Sequence, residues 1–341
     1  MDKRDSSLDL LRVILCICVI ALHSFYFFGD LNYYADLLVP AILIVTDGLF
    51  FMLSGYFNLE KEFNSSKDII NFYKKKIINV LIPFLGFVLF WTIWDYLHAN
   101  ESINITEILQ IYYVEIMGKS AIGHLWFMYP LFGMLLSTPF LSKMLHSMDE
   151  KELKILWRIA IGFNIVCYFL CMDFNVSFGV LAWIFDGWLI YYFAGYYYRH
   201  VAHKENKIKW IFLGLFGFII TVLGKEGKLP FIHGFVGATD IQPMFTLFCM
   251  GVLFCWDNFI KITNKTISKV ILFLSNNTYL IYLFHTRGME YAVRKLHVID
   301  YSIISGFKVI IGGFIFSLIA AVVINSVMKP VQKIILKKWL K

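Results

Sequence analysis

The stretch LDLLRVILCICVIALHS, residues 8–24, decides the fold class. It is an apolar run of the length a bilayer demands, yet it carries an arginine and a histidine. A hydrocarbon core about 30 Å thick takes roughly 20 mostly apolar residues per helix. Arg12 and His23 stand eleven positions apart. At 100° per residue that is about three turns plus about 20°, so both lie on one helix face, about 16 Å apart along the axis. An ionisable group at the centre of a lone membrane helix costs about 2.5–3.5 kcal/mol, so each needs a partner, a wet cavity or a chemical task. The plain account pairs Arg12 with Asp9 one turn earlier and gives His23 one hydrogen bond to a neighbouring helix.

The rest of the chain repeats the apolar pattern. Of 341 residues, 59% are hydrophobic, 18% aromatic and only 16% charged, against about 25% charged in soluble domains; the mean hydropathy is +0.68. This composition excludes an ordinary soluble protein and predicts an all-α polytopic membrane bundle. Ten apolar stretches are expected to span: 8–28, 37–57, 78–97, 124–142, 155–172, 177–196, 208–224, 241–257, 270–286 and 303–326. The expected organisation is a single membrane-embedded domain over 1–341 with no soluble domain. Lysine and arginine alternate between sides as the positive-inside rule requires. With Lys3 and Arg4 inside, 23 cations fall in inner segments; the outer ones hold six, Lys119, Lys225, Lys228, Arg287, Arg294 and Lys295. Both termini are therefore expected in the cytoplasm.

Other classes fall away on similar grounds. The net charge of +7 is scattered over short loops, so nucleic acid is not an expected partner. Cys16, Cys18, Cys167, Cys171, Cys249 and Cys255 all lie in or beside apolar segments, where Cys serves as a small apolar residue, and no zinc or other metal site is expected. In the loop 98–123, Thr106 is expected to cap a short helix.

The polar residues inside the remaining spans are few. Asp47 falls near the middle of the second span, with Ser54, Gly55 and Tyr56 towards its inner end; Gly55 also suits a close helix crossing. His124 and Trp126 open the fourth span, and Asp186 lies in the sixth. Tyr282 and His285 share one face of the ninth span, one turn apart.

These residues carry a resemblance. LDLLRVILCICVIALHS with Arg12 and His23, TDGLFFMLSGYF (46–57), FYKKKIINVLIPF (72–84) with Pro83, HLWFMYPL (124–131) and SNNTYLIYLFHT (275–286) occur in the order and on the spans of the acyltransferase 3 family of bacterial membrane proteins. Lysines stand at Lys74, Lys75 and Lys76 where that resemblance leads one to expect arginines. It implies an acyl-CoA-dependent O-acyltransferase in the bacterial plasma membrane. No tightly bound cofactor is expected; acetyl-CoA or another acyl-CoA is the donor substrate. The acceptor hydroxyl would lie on an extracytoplasmic glycan, at the cell surface or linked to lipid, and a homo-oligomer or partner protein is left open.

In that reading Arg12, Ser54, Tyr56, Lys74, Lys75 and Lys76 meet the donor. His23 acts as general base or transiently acylated nucleophile, with Asp47 orienting or charging it. His124, Trp126, Tyr282 and His285 line the acceptor side. The rival class is a secondary transporter or glycan exporter, which would use intramembrane Arg, Asp and His for coupling, but the paired repeats of such carriers are not evident.

Overall fold

The computed structural model describes residues 5–99, 103–117, 123–173, 187–225 and 243–340, and all regular structure among them is helical. Asp186 lies outside the described residues, as do the expected outer-loop cations Lys119 and Lys228. The chain opens with α1 (Ser6–His23), whose N-cap Asp5 accepts from the Ser7 amide at 2.8 Å. Next come α2 (Tyr33–Leu43) and α3 (Val45–Asn58), separated only by Ile44 and together forming a span over Leu38–Asn58. Asp47 thus sits in the first turn of α3, where the helix dipole favours a carboxylate.

The third span is a composite. A capping box between Ser65 and Asp68 starts α4 (Ser66–Lys76); a π turn over Ile77–Leu81 joins it to α5 (Ile82–Ala99). Pro83 has no N–H to give to the preceding turn, so this is where the helical ladder is open to rearrangement. Side chains from far along the chain bond carbonyls in the disturbed segment: Tyr279 donates to Val80 at 2.7 Å and Gln332 to Ile78 at 3.0 Å.

Then follow α6 (Ile105–Ile116), α7 (Met128–His146), α8 (Glu150–Asp173), α9 (Leu189–His200), α10 (Lys207–Lys225) and α11 (Pro243–Phe259). The expected loop helix exists as α6, but its cap is Asn104, whose Oδ1 accepts from the amides of Thr106 and Glu107 at 3.1 and 3.3 Å. The chain ends with α12 (Lys265–Ser275), α13 (Thr278–Lys295) and α14 (Ile303–Trp339). The stretch expected as one ninth span is two helices, α12 and α13, bent by 61° at Asn276 and Asn277. The Asn277 side chain is held across the break by Asn325 of α14, at 2.7 Å.

Five helices among the described residues are long and apolar enough to cross a membrane, or six if the bent pair is one span. Helices α8, α9, α10 and α11 occupy the described parts of the other four expected stretches.

The packing centre is α9. Residues Ile190 to Tyr198 are all buried, so this helix meets protein on every side, as a helix apolar all round must. It crosses α3 at two glycines. A Cβ on Gly55 would stand 1.8 Å from the Tyr192 carbonyl oxygen, and one on Gly195 would stand 1.8 Å from that of Met52. The crossing expected of Gly55 is present, and it holds rigid the helix that carries Asp47 and Ser54.

Candidate active site

Asp9 is buried, accepting from Arg12 Nη1 at 2.9 Å and from Ser275 Oγ at 2.8 Å. The carboxylate thus ties α1 to α12 just before the 61° break and sets the arginine by a charge-assisted bond. Arg12 also lies over the Phe57 ring at 4.3 Å. The expected Asp9–Arg12 pair is therefore present, but it leaves the guanidinium at a cavity wall.

That cavity, about 160 Å³, is lined by Arg12, Asp47, Ser54, Thr278, Tyr279 and Tyr282 among others. That is room for several waters or a short acyl group. A larger hollow of about 510 Å³ lies on the α10 and α11 face, walled by Ile211, Leu215, Phe218, Phe248 and Phe259 and without a charged side chain. Volume alone does not make it the site.

Tyr282 links the cavity to a second group. Its hydroxyl donates to the backbone carbonyl of His124. The His124 ring lies 4.8 Å from that of His285, which lies 5.1 Å from that of His23. His285 is fully buried and His124 nearly so, whereas His23, last residue of α1, is exposed. Four of the expected residues, His23, His124, Tyr282 and His285, therefore meet, and Tyr282 joins them to Arg12, Asp47 and Ser54. Thr286 completes the group, its hydroxyl 3.4 Å from His124 Nδ1.

The other expected residues stand apart. Trp126 is exposed, its ring 5.3 Å from Trp188. Tyr56 lies beneath the Arg199 guanidinium at 4.8 Å, and Arg199 pairs with Glu60 at 3.2 Å. The three consecutive lysines fan out, as 100° per residue requires. Lys74 bonds the Trp339 carbonyl at 2.6 Å, Lys75 is exposed, and Lys76 reaches Asn58 Oδ1 at 2.8 Å.

Lys61, one of the inner-segment cations, bonds the same Asn58 oxygen at 2.8 Å. Desolvation of its ammonium, with Lys75 nearby, lowers its pKa to about 8. Phe127 and Tyr279, both on the cavity wall, were also without a role in the sequence reading. Among the described residues no group of three or more His, Cys, Asp or Glu is arranged to hold a metal ion.

Apolar helices that enclose a cavity bearing Arg12, Asp47 and Ser54, and a histidine group beside it, define a polytopic membrane protein with an internal site. Residues 5–326 match the model of the acyltransferase domain family acyltransferase 3. The chain belongs to that family, and is a membrane acyltransferase. No curated protein and no solved structure matches it.

Proposed function

We propose that this protein moves an acyl group, acetyl first among them, from cytoplasmic acyl-CoA to a hydroxyl of an extracytoplasmic glycan, with both termini in the cytoplasm of a bacterial cell. The observation that carries the reading is that Tyr282, on the wall of the cavity where Arg12 and Ser54 lie, bonds the backbone of His124 in the histidine group at the far end of α1. The donor's phosphate-rich head stays at the basic inner face near Lys61, Lys74, Lys75 and Lys76, and its pantetheine arm carries the thioester past Arg12. The cavity's small volume favours a short acyl chain. His23 receives the hydroxyl's proton as general base, or carries the acyl group in transit; general-base catalysis contributes typically 10²–10⁴-fold. Tyr282, His124 and His285 shape the acceptor side.

The test is purified full-length protein assayed for acetyl-CoA binding and for transfer into envelope glycans of membrane vesicles. His23→Ala is expected to bind acetyl-CoA normally and to lose transfer by at least about 100-fold. Arg12→Ala is expected to weaken binding as well, and Arg12→Lys to restore it in part, because a point charge lacks the guanidinium fork. Substantial transfer by His23→Ala defeats the assignment.

A further inference from the structure

The hydrogen bonds of the histidine group fix its protons. A carbonyl oxygen only accepts, so a ring nitrogen facing one must carry hydrogen. His124 Nε2 lies 3.3 Å from the Leu283 carbonyl oxygen and is therefore protonated; its Nδ1 is left to accept from the Thr286 hydroxyl. Both nitrogens of His124 are occupied.

His285 is different. Its Nδ1 donates to the Tyr282 carbonyl oxygen at 2.6 Å, which leaves a lone pair on Nε2, and that atom is buried with no hydrogen-bond partner among the described residues. An unsatisfied buried acceptor costs about 1–3 kcal/mol. Solvent does not reach it, and with both His124 nitrogens occupied the neighbouring imidazole left to meet it is that of the exposed His23, whose ring centroid is 5.1 Å from that of His285 with the planes inclined at 41°. Imidazole rings at that separation bring two nitrogens to about 3 Å once their edges face, within hydrogen-bond range. A turn of the His23 ring makes the bond; catalytic hydrogen bonds are often open before substrate arrives.

We propose that His285 is the positioning residue of His23: its Nε2 accepts the His23 N–H, fixing the tautomer and turning the other His23 nitrogen, lone pair outward, to the incoming hydroxyl. The inference rests on the acyl-CoA-to-hydroxyl reading above with His23 as base, and gives His285 the orienting part the sequence suggested for Asp47. In the step, the acceptor O–H bond breaks and its proton goes to His23. The C–O bond forms at the thioester carbonyl, the C–S bond breaks, and the imidazolium returns the proton to the coenzyme A thiolate. The His285 lone pair shares the charge of His23 while it is protonated. A base held in the wrong tautomer can lose as much as about 10⁴ in rate.

The experiment compares His285→Leu with His285→Gln in the full-length protein, using radiolabelled acetyl-CoA. Two acceptors are used: the envelope material of membrane vesicles, whose hydroxyls need a base, and hydroxylamine, which attacks without one. His285→Leu is expected to cut the maximal rate to vesicle hydroxyls by at least about 100-fold with the KM for acetyl-CoA unchanged, while transfer to hydroxylamine falls by less than about 10-fold. His285→Gln, whose amide donates to Tyr282 and offers an oxygen where Nε2 stood, is expected to stay within about 10-fold of wild type on both.

Equal loss on the two acceptors, a fully active His285→Leu, or a His285→Gln as impaired as His285→Leu overturns the proposal. Wild-type protein that transfers to neither acceptor, or an active His23→Ala, instead overturns the reading on which it rests.

Discussion

Adding one methyl group at the α3–α9 crossing tests whether that contact holds the site together. In Gly55→Ala the new Cβ would begin 1.8 Å from the Tyr192 carbonyl oxygen, whereas ordinary contact starts at 3.4 Å. The obstacle is backbone, so no rotamer relieves it and the helices must part by about 1.5 Å. Overpacking of a rigid core costs typically 1–3 kcal/mol. The upper end applies, since α9 is packed on all sides and has nowhere to retreat; we expect about 3 kcal/mol. At about 2.1 cal/mol/K per residue, a chain of 341 residues would lose about 4 °C in Tm. Gly195→Ala meets the Met52 carbonyl oxygen at the same distance and should cost as much.

The double variant should cost less than the sum, because helices already parted by one methyl accommodate the second. Gly133→Ala, exposed inside α7 with nothing within 4 Å of the added Cβ, is the control and should lose no stability, gaining up to about 0.5–1 kcal/mol of helix propensity instead. Thermal unfolding of purified protein in detergent, followed by loss of a monodisperse peak, reads all four. Acyl transfer should fall in Gly55→Ala even below its Tm, since α3 carries Asp47 and Ser54 and a 1 Å misplacement can cost about 10²-fold. An unchanged Tm in Gly55→Ala, or a strictly additive double variant, would refute the argument.

Three further outcomes are expected. The Lys61 pKa falls from 10.5 to about 8 on folding, so between those values the unfolded chain holds the proton more tightly, and this group makes stability rise with pH across that window; Lys61→Gln should flatten the rise in a pH series of Tm. Single cysteines in the 98–123 and 225–240 loops should label with an impermeant thiol reagent in intact cells while those at 61–67 or 200–207 do not, and equal labelling would defeat the proposed topology. Asp9→Ala, which removes the buried carboxylate that Arg12 and Ser275 both bond, should cost about 3 kcal/mol in detergent unfolding, whereas Tyr279→Phe, losing one bond to a π-turn carbonyl, should cost about 1 kcal/mol.

How far the site was legible depends on whether its parts are local. Arg12, His23 and Asp9 share one helix, and periodicity alone placed them; Tyr282 and His285 were paired by the same rule. The meeting of His124 with His285 joins residues far apart in the chain, which no periodicity can announce. Lys74, Lys75 and Lys76 read as one patch in a linear string, but helical rotation separates them, and Lys76 reaches Asn58 from 18 residues away only because the chain turns back between α3 and α4, whereas Lys61 meets the same oxygen locally. The break at Asn276 and Asn277 was legible in principle. Ser275, Asn276, Asn277 and Thr278 form a polar cluster of the kind that marks a turn, outweighed in the reading by the apolar residues on either side. Thr106 failed as a cap because Asn104, two residues earlier, offers a side chain of the right length.

The long α14 has a practical corollary. Its 37 residues extend about 55 Å at 1.5 Å per residue, roughly 25 Å more than a hydrocarbon core needs. Its last turn is tied to α4 by the Lys74 bond to the Trp339 carbonyl oxygen. A fluorescent protein or affinity handle fused after Trp339 would therefore be anchored beside the lysines of α4, where it would crowd the face proposed above for the donor's head. A handle placed ahead of Asp5, at the other end of the chain, leaves that anchor point undisturbed.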